Sequence, residues 1–242
     1  MVFGLFSKEK SLQKLVEKAT NKLAQQPDRW GALERLKEDG SPAALLGLCK
    51  RFSVTSMKGV EDEQEKVWVV ETLASMGADA RVAVSRYMKA ADQLAFPLRV
   101  LERTGTHDEV LAVVDELLAI ETPGYVRMPE RRIDLLHWLS EWKAATDEEI
   151  VSRLAPYVTD FDENVRFTAI EGMGGRPPAM IIPPLVAAFL RPEEESNRIR
   201  RTILEVIGKT QTPLGESGAK VAALLTGPLA DFKVDGGLVK RR

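Results

Sequence analysis

The sequence predicts an all-α chain: an α-solenoid of about six helical hairpins closed by a C-terminal capping helix. Three observations carry that prediction. A pair of apolar residues three apart, preceded four positions earlier by a basic residue, recurs along the chain. Each such segment has an upstream partner whose apolar residues also fall at helical spacing. Strand-type alternation is missing except in the tail, Phe232 to Val239.

The recurring pairs are Leu33/Leu36, Val70/Leu73, Leu98/Leu101, Leu136/Leu139, Ile170/Met173 and Leu204/Ile207, and their second members lie 37, 28, 38, 34 and 34 residues apart. A period of that size holds one helix-turn-helix hairpin. The basic position is filled by Arg29, Lys66, Arg132, Arg166 and Arg200, and the third repeat departs from the pattern with Leu94. Upstream stretches such as Val110, Leu111, Val113, Val114, Leu117 and Leu118, or Ile150, Val151, Leu154 and Val158, supply the first helix of a hairpin, so helices alternate as A and B. Gly40, Gly77, Gly105 and Gly174 or Gly175 stand where B helices should stop in a left-handed cap. A lone amphipathic hairpin cannot bury its apolar face, so the core must come from stacking one hairpin on the next. The chain reads as a single domain, 1–242, with an apolar lead over 1–10, repeats over 11–209, and a cap and tail over 210–242. One helical segment is expected there at about 216–226. The third repeat is short and carries Pro97 inside its B pattern, Asp92 to Arg103. A kink there, and a shallow pocket near Phe96, Arg99 and Arg103, are the expectation.

The segment EIVSRLAPYVTDFDENVRFTAIEGMGG, residues 149–175, resembles a HEAT repeat: an A helix, an Asp-containing turn, then Val-Arg opening a B helix that ends in Gly. Residues 183–208 repeat the arrangement with Ile199-Arg200 and a closing Ile207-Gly208. The resemblance covers the chain in spacing and about a quarter of it in motif. It implies a non-catalytic scaffold or adaptor that binds protein, with B helices lining a concave face. It also admits an enzymatic alternative, since HEAT-like repeats occur in DNA alkylpurine glycosylases and in phycobilin lyase subunits.

Composition narrows the function classes. The chain has 242 residues, 44% apolar and 29% charged, enough to bury a large core. Its 34 Lys and Arg against 36 Asp and Glu leave a net charge of −2, which disfavours a duplex-cradling groove and hence nucleic acid as the partner. One cysteine, Cys49, cannot form an internal disulfide, and the expectation is a cytoplasmic protein. No secretory leader is read, and the most apolar window, Ala179 to Leu190, is too short to span a bilayer. Val2, Phe3, Leu5 and Phe6 are expected to cover the first helix, the second reading being contact with a membrane or a partner. With one Cys and two separated His, no metal site is expected. No GxSxG elbow, Walker loop or GxGxxG is present, so neither catalytic residues nor a cofactor are assigned. Gly172 to Gly175 reads as a helix C-cap rather than a phosphate loop.

The candidate binding residues follow from register. One position past the first apolar anchor stand Glu34, Glu71, Arg99, His137, Glu171 and Glu205, an acidic stripe interrupted in its middle. The two longest A-to-B connections, residues 53–62 and 121–129, place Met57, Tyr125 and Met128 in loops expected on one edge. Trp138 and Trp142, four apart, and Trp68 are candidate rim aromatics. Arg29, Lys66, Arg132, Arg166 and Arg200 follow acidic turns and read first as structural ties within or between hairpins.

Overall fold

The structure is a computed structural model that describes the backbone of residues 2–242 and the side chains from residue 8 on. The side chains of Val2, Phe3, Leu5 and Phe6 therefore lie outside the described residues. The chain divides into two compact units, residues 1–121 and 122–242. Among the described residues it is helical apart from one two-stranded antiparallel sheet.

The first unit contains α1 (Val2–Ala19), α2 (Gln26–Asp39), α3 (Pro42–Cys49) with a 3-10 turn over Lys50–Ser53, α4 (Gly59–Ser75), α5 (Ala78–Met88), α6 (Ala95–Thr104) and α7 (His107–Ile120). Helix starts have readable causes. Ser41 accepts from the Ala44 N–H with Pro42 at the first helical position, and Thr106 with Glu109 closes a capping box on α7. The apolar pairs read from the sequence all fall on α2, α4 and α6, and Leu33, Leu36, Leu73, Leu98 and Leu101 are fully buried. They belong to helices that pack in succession, α2 on α4 and α4 on α6, while α1, α3 and α5 pack in the same order.

The second unit contains α8 (Glu130–Glu141), α9 (Asp147–Leu154) continued by a 3-10 turn over Ala155–Thr159, α10 (Glu163–Gly172), α11 (Pro178–Phe189), α12 (Asn197–Lys209) and α13 (Ser217–Ala223). A 3-10 turn at Gly227–Leu229 leads into β1 (Phe232–Asp235) and β2 (Leu238–Arg241). Again the marked helices neighbour one another, α8 on α10 and α10 on α12, and their anchors Leu136, Leu139, Ile170, Met173, Leu204 and Ile207 are buried. The hairpin pairs Phe232 with Arg241 and Val234 with Val239 across Gly236-Gly237, both at positive φ as a two-residue turn requires. It lays β2 along α12 and buries Phe232 and Val239, so the last apolar face is covered by sheet as well as by helix.

Two expectations change. Pro97 breaks no hydrogen bond of its helix. Because α6 begins at Ala95, Pro97 occupies the third helical position, and the first i to i−4 bond is donated by the next residue, Leu98, to Leu94 O at 3.0 Å. The missing N–H would have had no intrahelical acceptor in any case. Phe96 is half-buried, stacked on Phe52 at 5.8 Å and 7°, with Lys66 and Arg99 over its ring at 5.5 and 5.1 Å. Of the stop glycines, Gly40 takes the left-handed cap (φ 57°) and returns its N–H to Leu36 O, but Gly105 is extended at φ −108°. A Cβ on Gly105 would lie 2.8 Å from Val110 Cγ2, so close approach to α7, not handedness, explains the residue.

Candidate binding surface

The basic residues that open the B helices are ties. In the first unit Arg29 is buried and donates to Glu65 of the next hairpin, from Nε to both carboxylate oxygens at 3.0 Å and from Nη2 at 2.8 Å. Glu65, fully buried, also accepts from Arg51 Nε at 2.7 Å. Arg51 reaches on to Asp62 Oδ1 at 2.6 Å and to Val54 O at 2.7 Å, while Lys66 contacts Asp62 Oδ2 at 2.7 Å. Burial alone would raise the Asp62 carboxyl, but the bonds from Lys66, Arg51 and the Ser56 N–H outweigh it and bring it down to about 2.

In the second unit Arg132 Nη1 donates to Asp160 Oδ2 at 2.7 Å and to Gly124 O at 2.9 Å, and the Gly124 N–H donates to the same Asp160 oxygen at 3.2 Å. Arg166 bridges Glu194, Nε to Oε2 at 2.8 Å, and donates from Nη1 to Asp160 O and Phe161 O at 2.9 and 3.0 Å. Arg200 reaches Arg191 O at 3.4 Å and lies over the Phe189 ring at 5.9 Å. Arg29, Arg132 and Arg166 thus tie their own hairpin to the next one, Lys66 pairs with Asp62 four residues back on its own helix, and Leu94 is a buried apolar residue in the ladder's gap.

The ladder fixes the turns, and the turns carry exposed apolar side chains. Tyr125 is 76% exposed and Phe161 68%, yet their rings meet edge to face at 5.3 Å and 90°. The backbone on either side of that contact is the Gly124 and Phe161 backbone gripped by Asp160, Arg132 and Arg166. Met128 follows in the same loop, 64% exposed. In the first unit Leu23 and Met57, the latter 84% exposed, line a small cleft of about 160 Å³ with Arg29, Ser56, Lys58 and Glu61. The loop over residues 121–129 has the expected length, whereas that over 53–62 is shorter than expected because α4 starts at Gly59.

The register of glutamates is more heavily engaged than its spacing implies. Glu71 is held by Arg103, Nη2 to Oε2 at 2.7 Å, and the bond from this guanidinium keeps its carboxyl below the usual range. Glu205 accepts from Arg241, and Glu34 accepts from Trp30 Nε1 at 3.2 Å. Glu171 is exposed, Arg99 is exposed over Phe96, and exposed His137 lies 3.8 Å from Glu141. Trp138 is half-buried and stacked on buried Trp142 at 5.3 Å and 21°.

Three residues central to this picture were not singled out by sequence reasoning: Phe161, Trp30 and the pair-forming Glu65. Phe161 had a signal, a large apolar side chain between two aspartates in a turn, which no core can claim. Trp30 stands with Glu34 and Lys37 on the α2 face that excludes Leu33 and Leu36. Glu65 had none, since a carboxylate within the run 61–65 looks like a solvated helix start.

Among the described residues no cluster of three or more His, Cys, Asp or Glu is placed to hold a metal ion, and no helix is long and apolar enough to cross a membrane. Cys49 is fully buried, and burial pushes its thiol up to about 12, which keeps it protonated and unreactive. The class defined by fold and surface is an all-α chain that displays apolar side chains from ion-paired turns. No family model, curated protein or solved structure matches the chain.

Proposed function

We propose that the chain is a non-catalytic protein-binding scaffold, each unit a stack of HEAT-type hairpins, working in a reducing compartment such as the cytoplasm. The observation that carries this reading is the Tyr125–Phe161 contact. Two aromatic rings more than two-thirds exposed are held against each other by backbone clamped from below through Arg132, Asp160 and Arg166. An exposed aromatic pair gains little from solvent, whereas a pre-ordered one gives a partner contact area at low entropic cost. The in-order packing of α2, α4 and α6, and of α8, α10 and α12, supports the stacked-hairpin reading, and a lone buried cysteine suits the compartment.

The experiment compares what the intact chain and its Tyr125→Ser/Phe161→Ser variant retain from the native cell, by quantitative mass spectrometry at matched thermal midpoint. A partner held at fixed stoichiometry by the intact chain and depleted about ten-fold or more by the variant is expected, as for loss of an aromatic hot spot. Equal recovery by both chains overturns the turn edge as the binding surface. The same comparison with Glu71, Glu171 and Glu205 reversed in charge tests the helix register, where a smaller loss is expected because Glu71 and Glu205 are already neutralised.

A further inference from the structure

A second surface, independent of the turn edge, lies on α2 and α4. Trp30 and Trp68 are half-buried, with ring centroids 5.3 Å apart and planes inclined at 49°. Together with Val60 and Val67, 74% and 39% exposed, they floor a groove of about 760 Å³. The rest of its wall is Gly59, Gln64 and two carboxylates, Glu63 and Glu71. The polar row of α2 runs alongside, Glu34 at i+4 from Trp30 and Lys37 at i+7. An apolar floor of this size, with two indoles, has the composition of a hot spot.

The rim indicates what fills it. Glu63 and Glu71 line the groove and Glu34 stands beside it, bonded to Trp30 Nε1; Lys37 lies over Trp68 and Arg103 is spent on Glu71, which leaves Glu63 as the lining carboxylate open to a cation from a partner. Lys37 Nζ stands 5.6 Å from the Trp68 centroid, so this indole already holds an ammonium from its own chain. A guanidinium stacks on an indole better than an ammonium does, and it pairs with carboxylates in a planar fork. We propose that the Trp30–Trp68 groove binds a partner protein segment carrying a bulky apolar anchor flanked by arginines. The anchor enters between Val60, Val67 and the indoles. The flanking guanidinium takes the ring position of Lys37 and meets Glu63 or Glu34. An acidic segment, or a purely apolar one such as a second copy's core helix, lacks the charge to match this rim.

Three synthetic peptides of about twelve residues test the idea by tryptophan fluorescence and labelled-peptide anisotropy with the full-length chain. One has leucine and phenylalanine anchors flanked by arginine, the second the same anchors flanked by glutamate, the third arginines with serine replacing the anchors. The arginine-flanked apolar peptide should bind about ten-fold or more tighter than either other, and weaken several-fold when salt rises from about 50 to about 300 mM. Trp68→Ala should cost about ten-fold or more and Glu63→Lys about three-fold, while Lys37→Met should strengthen binding about two- to five-fold by vacating the ring. Circular dichroism checks that the variants fold, and Trp68→Phe, which keeps a π-face, should retain most of the affinity.

Equal affinity for the arginine and glutamate peptides overturns the proposal. So does weaker binding by Lys37→Met, absence of binding by all three peptides, or a concentration-dependent dimer abolished by Trp68→Ala. Loss of partner capture through Tyr125 and Phe161 leaves these peptide results untouched, so the two readings fail separately.

Discussion

Glu65 carries two buried arginines at once: Arg51 keeps Asp62 as a second buried carboxylate at 2.6 Å, but Arg29 has beyond Glu65 only the partly exposed Glu61 at 3.5 Å. Removing one member of a buried ion network costs far more than the network contributes, because the charges left behind stay desolvated. Glu65→Ala should therefore destabilise the chain by about 3 to 5 kcal/mol, read from urea midpoints at pH 7. Asp62 gives the same network a pH signature. Its folded carboxyl resists protonation down to about 2, against an ordinary 3.8, so between those values the unfolded chain binds more protons. Its contribution is complete above about pH 5 and is largely lost as the pH falls toward 2, a loss of about 2 kcal/mol. Asp62→Asn should flatten the urea midpoint over that window, and an unchanged slope would assign the acid sensitivity elsewhere.

Helices α10 and α8 approach so closely that Gly172 has no room for a side chain: a Cβ there would sit 2.9 Å from Ser140 Cβ and 3.0 Å from Leu154 Cδ1. Gly172→Val should cost about 1 to 3 kcal/mol, visible in the urea midpoint, whereas Gly174→Ala, facing only the Glu171 carbonyl, should cost less. The elements themselves were legible in the sequence for a plain reason. A helix that must bury one face repeats its anchors, and Leu136/Leu139 or Leu204/Ile207 announce that face whatever the neighbours are. The basic position was legible for the same reason, but its acceptors were not. Glu65, Asp160 and Glu194 are chosen by which hairpin lies next in space, and the sequence holds many carboxylates with equal claim. The binding surface was the least legible. Tyr125 and Met128 stand out by loop length, but the contact with Phe161 depends on two turns 36 residues apart meeting. Pro97 misled because a one-turn error in where α6 begins converts a helix breaker into an acceptable first-turn residue.

At the scale of the molecule, an outermost helix needs its apolar face covered. In the second unit α13, the turn at Leu229 and the β hairpin do this, the hairpin and turn packing on α12 and α13 with Leu229, Phe232 and Val239 buried. Phe232 is also flanked by two guanidiniums, Arg201 at 5.4 Å and Arg241 at 5.6 Å. Each of these three side chains contributes about 1.5 to 3 kcal/mol of burial. A chain ending at Thr226 should form concentration-dependent oligomers on size exclusion, as an uncovered apolar helix face seeks a replacement. Monomeric behaviour of the truncated chain would show that the hairpin is ornament rather than seal. The clamp of Arg132 and Asp160 on Gly124 has an evolutionary corollary. With Arg166 on the Phe161 carbonyl, it acts on the main chain of Gly124 and Phe161 and asks nothing of the side chains at 125, 128 and 161. Those three sites are thereby released from the duty of folding and answer to the partner alone. Descendants of this chain can acquire new specificities there at constant thermal midpoint, and a library randomised at the three positions should yield folded members in nearly every draw.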